Sequence, residues 1–224
     1  MAKAKKAKKP KETFRSIAAA GDYTSDPGLR GILPDDILDR YQVRQWKHAA
    51  AILKTDFAGE CSDIVKVLGA LKLPHSHIVS PGGGESKISQ GITSDFGKLG
   101  WKKKKWDTKI LVDDSAVESP THIVDCYKNR VALEFEWSNK DPFYDRDLNN
   151  FRLLFDLRTI SVGVIVTKSD ELATLFYELG VFGKYGTTTT WMSKLLPRVK
   201  GGGGGGCPLL VFGLRKSLYV PKGS

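Results

Sequence analysis

Cysteine is scarce in this chain: Cys61, Cys126 and Cys207 are three in 224 residues, an odd number at no recurring spacing. That excludes a disulfide framework and points to reduced thiols in a cytoplasmic protein. No run of about 18 apolar residues occurs, so no membrane span is expected. The basic N-terminus is not followed by an apolar core, which argues against a secretory signal. Histidines number four, and neither His75 with His77 nor His122 with Cys126 has further partners at zinc-like spacing. A GxSxG elbow is missing, as is the GxxxxGK[ST] phosphate loop. The six glycines at 201–206 formally match GxGxxG, but the segment PLLVFGL after them reads as a strand rather than a helix. The dinucleotide fingerprint therefore fails, and the run is expected to be a flexible loop. No internal repeat is present.

What is present is positive charge. The formal net charge is +10, and the six lysines among residues 1–11, which hold no acid, leave +4 for residues 12–224. Such a tail is expected to be disordered, and residues 12–224 are long enough for a single domain. Its N-terminal part, 12–75, reads as mostly helical. A weak helix is expected over 12–26, a second from Asp35 continuing through 43–53 with Trp46, Ala49, Ala50 and Leu53 on one face, and a third over 61–73 stopped by Pro74. Two features beyond it suit a phosphate backbone. Ser80-Pro81-Gly82-Gly83-Gly84-Glu85-Ser86-Lys87 is a glycine-rich turn feeding a helix, where backbone donors and the helix dipole meet anions. Residues 101–106 (WKKKKW) are the densest charge in the body of the chain, with Lys103 and Lys104 at their centre. The bland readings are a glycine connector and a solvated lysine run.

The chain is organised around 121–140, THIVDCYKNRVALEFEWSNK. Two alternating runs flank Lys128-Asn129, read as a two-residue hairpin loop with Tyr127 opposite Arg130. Asp125 then opposes Ala132, and Val124 opposes Leu133. One face carries Val124, Cys126, Val131, Leu133, Phe135 and Trp137; the other carries Asp125, Ala132, Glu134 and Glu136. His122 would face the core with Val124. Acids on alternate positions are also what any wet strand face looks like. Against that, like charges across a ladder destabilise it unless something neutralises them, and neither Lys128 nor Arg130 lies between the three. A divalent cation would do so, and an oxygen-only set favours Mg, Mn or Ca.

A strand is expected at 110–112, a helix capped by Asp141 and Pro142 and running through Phe151 to Leu157, a fully buried strand at 161–167 (SVGVIVT) and a helix over 169–179. The order of elements predicts an α/β or α+β sandwich with a mixed sheet. Residues 187–190 are four threonines beside Trp191, Lys194 and Arg198, a hydroxyl-rich segment able to meet bases or phosphates.

The ordered set IVDCYKNRVALEFEWSN resembles the PD-(D/E)xK nucleases, and within them the BglII/BstYI group of type II restriction endonucleases. The glycine-rich Ser86-Lys87 segment, Gly100-Trp101, SVGVIVT and CPLLVFGL extend the likeness over about 35–214, with a catalytic core at about 80–214. The resemblance implies a restriction-endonuclease-like core that cuts duplex DNA at a short palindrome. Asp125, Glu134 and the main-chain carbonyl of Phe135 would hold Mg²⁺, and Glu136 would orient or deprotonate the attacking water. Ser138 and Asn139 would read bases, with Lys140, Thr188 and Thr189 as further contacts beside Ser86, Lys87, Lys103 and Lys104. It also implies a homodimer and a cognate DNA methyltransferase. Two positions depart from the family pattern: Val124 stands where the superfamily has Pro, and Glu136 stands where BglII-like members have Gln. The competing expectations are a non-catalytic DNA-binding relative and a general nucleic-acid-binding protein acting through its lysines.

Overall fold

The computed structural model describes residues 23–81, 84–118 and 121–223. The lysine tail, most of the helix expected over 12–26, and Gly82-Gly83 lie outside the described residues. The chain runs α1 (Asp35–Arg40), β1 (Tyr41–Trp46), α2 (Ala49–Asp56), α3 (Ala58–Ala70), β2 (Leu73–Pro74), α4 (His75–Val79) and α5 (Lys87–Lys98). Then follow β3 (Lys102–Lys104), β4 (Lys109–Val112), β5 (Ser115–Glu118), β6 (Val124–Lys128), β7 (Val131–Glu136) and α6 (Phe143–Asp156). The remainder is β8 (Val162–Lys168), α7 (Leu172–Glu178), α8 (Phe182–Tyr185), α9 (Met192–Lys200), β9 (Leu209–Leu214) and β10 (Tyr219–Val220).

Six strands form one mixed sheet in the order β1-β9-β8-β7-β6-β3. Strands β7, β8 and β9 are parallel; β1 and β6 flank them antiparallel, and β3 pairs antiparallel with β6 at the edge. The parallel strands are linked by helices, β7 to β8 through α6, which places helices against the sheet. Every residue of β7, β8 and β9 is accordingly buried. One face packs Leu133, Phe135, Val164 and Phe212 with side chains of α1–α5, α7 and α8. The other packs Ala132, Ile165 and Val211 under α6 and α9, through Tyr144, Leu148, Phe151, Leu154, Met192 and Leu195.

Several sequence expectations need correction. The helix over 43–53 is interrupted, because residues 41–46 pair with β9 from Tyr41↔Leu214 to Trp46↔Leu209. An apolar edge seeking a ladder partner outweighs local helix preference here. Lys47 and His48 turn the chain at φ 54° and 56°, and only from Ala49 is it helical. Residues 109–112 form a separate two-stranded hairpin with β5, and it is β3 that edges the main sheet. Among the threonines, only Thr189 makes a bridge, to Lys140. Asp141 does not cap α6; its carboxylate accepts from Lys194 Nζ at 2.8 Å. The glycines at 201–206 are a packed turn rather than a loose loop: a Cβ on Gly204 would stand 2.6 Å from Leu209 Cδ1, and one on Gly205 2.5 Å from Arg152 Cγ.

The central hairpin turns one residue later than expected. Lys128 pairs with Val131, leaving Asn129 and Arg130 as the loop at φ 41° and 68°, the doubly left-handed form of a tight hairpin. Moving the turn by one residue moves each cross-strand partner by two, so Asp125 still shares a face with Glu134. The ladder ends at Cys126↔Leu133. Beyond it Val124 turns to the α6 side, packing with Ala132 instead of Cys126.

The close approach of α6 to the sheet depends on Gly163, where a Cβ would lie 2.6 Å from Phe151 Cδ2 and 2.8 Å from Leu209 Cδ2. Both neighbours are fully buried and have nowhere to move. Gly163→Ala is expected to destabilise the protein by about 1–3 kcal/mol through overpacking. Urea denaturation with an unchanged midpoint would refute this.

Candidate active site

Period-2 alternation in β7 aims Ala132, Glu134 and Glu136 at α6, and the helix answers with Asp147. Positions 144, 147, 148, 151 and 154 lie on one helical face, so Asp147 points into the same layer as Tyr144 and Leu148. Glu134 and Glu136 are each 1% exposed and Asp147 is 0% exposed. The wet-face reading of the acids is thereby overturned. Asp125 is half-buried at the rim.

Hydrogen bonds fix each carboxylate from one side and leave the other side bare. Asp125 Oδ2 accepts the Phe135 N–H at 3.2 Å, and Glu134 Oε2 accepts the Asp125 N–H at 3.3 Å. This reciprocal pair replaces the ladder where it ends. Arg146 donates from Nε and Nη2 to Asp147 Oδ1 at 3.0 and 2.8 Å, and its Nη2 lies 3.5 Å from Glu136 Oε1. Among the described residues, none donates to the buried Glu134 Oε1, Glu136 Oε2 or Asp147 Oδ2. Lys128 does not relieve them, because its Nζ bonds to Asp63 Oδ2 at 2.8 Å and the Leu99 carbonyl at 2.9 Å.

Crowding of buried like charges shifts their ionisation. Burial, then the charges of Asp147 and Asp125, hold Glu134 well above the ordinary carboxylate range. Burial and Asp147 push Glu136 up to about 9. Burial raises Asp147 too, opposed by Arg146. Burial and then Arg146 lower His122 below the ordinary imidazole value, opposed by the Asp125 charge. Buried carboxylate oxygens without donors, on an oxygen-rich set, are what a divalent cation satisfies; the residues fit one.

The end of β7 is clamped from behind. Thr167 Oγ1 and Thr190 Oγ1 donate to the Glu136 carbonyl at 2.8 and 3.2 Å, and Tyr144 Oη lies 2.6 Å from Thr167 Oγ1. Lys168, fully buried, donates from Nζ to the Trp137 carbonyl and lies over the rings of Trp191 and Trp137 at 5.0 and 5.5 Å. Burial pushes this amine down to about 7.

The expected DNA contacts separate into three groups. Ser86, Lys87 and Ser138 line one cleft of about 520 Å³ with Gln90 and Lys184, so the glycine turn and the segment after β7 do meet. Ser86 also caps α5, its Oγ accepting the Ser89 N–H at 3.0 Å. Ser138, Asn139 and Lys140 are exposed; Lys140 Nζ donates to Thr188 Oγ1 at 3.2 Å. Thr189 faces inward, 5% exposed, its hydroxyl bound to the Tyr185 carbonyl at 2.7 Å, so it presents nothing to DNA here. Lys103 and Lys104 are exposed on the sheet edge and do not line the cleft. Phe135 directs its side chain into the core, stacked with Trp137 at 6.3 Å. A larger hollow of about 630 Å³ lies over α2 and α3 and holds none of the site acids.

Sequence reasoning missed Asp147, Arg146 and Lys168. An acid on the apolar face of α6, and a lysine ending a buried strand, were the available signals.

A family model described as restriction endonuclease BglII/BglIII matches residues 41–214, more than half of the chain. No curated protein matches. The matched span begins and ends on Tyr41 and Leu214, the paired residues at one end of the β1–β9 ladder.

A carboxyl whose folded pKa is raised contributes stability below its unfolded pKa and loses it as pH rises toward the folded value. Without divalent ions the protein should therefore lose stability through Glu136 between about pH 5 and 9, by up to about 3 kcal/mol from pH 5.5 to 8. Glu136→Gln should be more stable than wild type at pH 8 and nearly equal at pH 5. The Glu136 charge partly holds up the lowered pKa of Lys168, which acts in the opposite sense, so the comparison removes the Lys168 contribution only in part. Chemical denaturation in EDTA at both pH values checks this; a difference independent of pH would contradict it.

Proposed function

The chain belongs to the BglII/BglIII restriction endonuclease family, a type II site-specific deoxyribonuclease, and on that premise we propose a Mg²⁺-dependent cut in duplex DNA made by Asp125, Glu134 and Glu136. The observation that carries this reading is the set of buried carboxylate oxygens without donors between β7 and α6. Asp125, Glu134 and the Phe135 carbonyl would hold Mg²⁺. When bound, the cation supplies positive charge to the scissile phosphate and eases deprotonation of water.

The protein groups do the rest. Glu136 Oε2, which has no donor, would orient the attacking water and, in its ionised form, take its proton; Arg146 lies beside it and pairs Asp147. Attack on phosphorus with departure of the 3′-oxygen leaves a 5′-phosphate and a 3′-hydroxyl. Ser138 and Asn139 follow Glu136 by two and three residues and would contact base edges. Ser86, Lys87 and Lys184, across the cleft from Ser138, would meet phosphates. Lys140 and Thr188 extend that surface, while Lys103 and Lys104 would track the backbone farther along the sheet edge. A palindromic site calls for a homodimer, and a cognate methyltransferase would protect the host DNA in the cytoplasm.

Purified protein incubated with plasmid DNA and Mg²⁺ should yield discrete bands. They should vanish in EDTA and fall to background with Glu134→Ala. A dimer that binds DNA tightly yet cuts with neither Mg²⁺ nor Mn²⁺ would sink the proposal.

A further inference from the structure

We propose that His122, Asp147 and the bare oxygen of Glu134 form a second cation position, distinct in its ligands from the one at Asp125, Glu134 and Phe135. The inference rests on the metal-dependent nuclease reading and adds to it a nitrogen ligand and a ligand from α6.

One ring nitrogen of His122 and one carboxylate oxygen each of Glu134 and Asp147 lie within 4.8 Å of one another. The hydrogen bonding makes the convergence directional. Arg146 takes Asp147 through Oδ1 alone, and the Asp125 N–H takes Glu134 through Oε2 alone. Asp147 Oδ2 and Glu134 Oε1 are left buried and undonated, on residues 0% and 1% exposed. Buried oxygens in that condition are rare unless something satisfies them. His122 is steadied by the same helix, since Asn150 Nδ2 donates to its carbonyl at 3.4 Å. Helix α6 therefore supplies Asp147 and holds the segment that carries His122.

The donor set differs in kind from an oxygen-only one. An imidazole with two carboxylates suits Mn²⁺, Co²⁺ or Zn²⁺ better than Mg²⁺. Glu134 is common to both positions, so cations in them would share its carboxylate, as in paired-metal phosphodiesterases.

Mn²⁺ alone, titrated into the full chain and followed by calorimetry and pulsed EPR, tests this without reference to activity. Two Mn²⁺ per chain are expected, with ¹⁴N coupling from a directly bound imidazole. His122→Asn, a change at a half-exposed residue, should lose the coupling and one Mn²⁺. Asp125→Asn should lose the other Mn²⁺ and keep the coupling. Asp147→Asn, where folded by circular dichroism, should behave as His122→Asn. A single Mn²⁺ lost in Asp125→Asn, with no ¹⁴N coupling in wild type, would overturn the second position and leave the nuclease reading standing. No Mn²⁺ bound by wild type, together with no DNA cleavage, would overturn both.

Discussion

Three carboxylates occupy the dry layer between β7 and α6, and the surrounding structure is arranged to tolerate them. An ionised carboxylate removed from water is costly, and several together are worse, so such a group must be neutralised, paired or hydrogen-bonded. Here each remedy is used in part. Arg146 pairs Asp147, the Asp125 N–H serves Glu134, and burial beside the Asp147 charge favours the protonated form of Glu136. What is left over is one bare oxygen on each of Glu134, Glu136 and Asp147. A purely structural core would have replaced these side chains with apolar ones at little cost. Their retention in a close-packed layer is the physical reason to assign them chemistry.

The remaining elements hold that layer still. Gly163 lets Phe151 seat α6 close to β8, which brings Asp147 down to the level of the β7 acids. Beyond Glu136 the chain leaves the sheet, yet its carbonyls are not released. Thr167 and Thr190 take that of Glu136, Lys168 takes that of Trp137, and the Thr190 N–H takes that of Asn139 at 3.0 Å. A lysine buried among aromatic rings is an expensive clamp, and its amine faces Trp137, Tyr185 and Trp191 at 5.5, 6.0 and 5.0 Å. The threonines expected at the DNA surface thus divide by role. Thr188 is on the side of Lys140, Thr189 turns its hydroxyl inward to the Tyr185 carbonyl, and Thr190 braces the strand end from within.

The hairpin acids were legible because strand period and charge conflict at one place: a carboxylate at every second position, with no lysine between. The reading survived a misplaced turn, since Asn129-Arg130 in place of Lys128-Asn129 shifts partners by two and keeps each face intact. Val124 escaped that rule because the ladder stops at Cys126, where side chains take over the N–H groups. Strand β1 was hidden by helix formers on both sides of it, its pairing with β9 being set by residues about 170 positions away in sequence. Asp147 was hidden for a different reason. Helical periodicity is normally scanned for apolar positions, and an acid on that face looks like an interruption.

The adjacency of reading and cutting follows from these constraints. Ser138 lines the cleft shared with Ser86 and Lys87, while Glu136, two residues earlier, lies in the buried layer. Strand β7 is pinned on both sides by β6 and β8, and its end by three carbonyl clamps, so the segment from Glu136 to Asn139 has little freedom to flex independently. In the proposed reading, a contact made by Ser138 or Asn139 in the cleft is carried to Glu136 through a few braced residues.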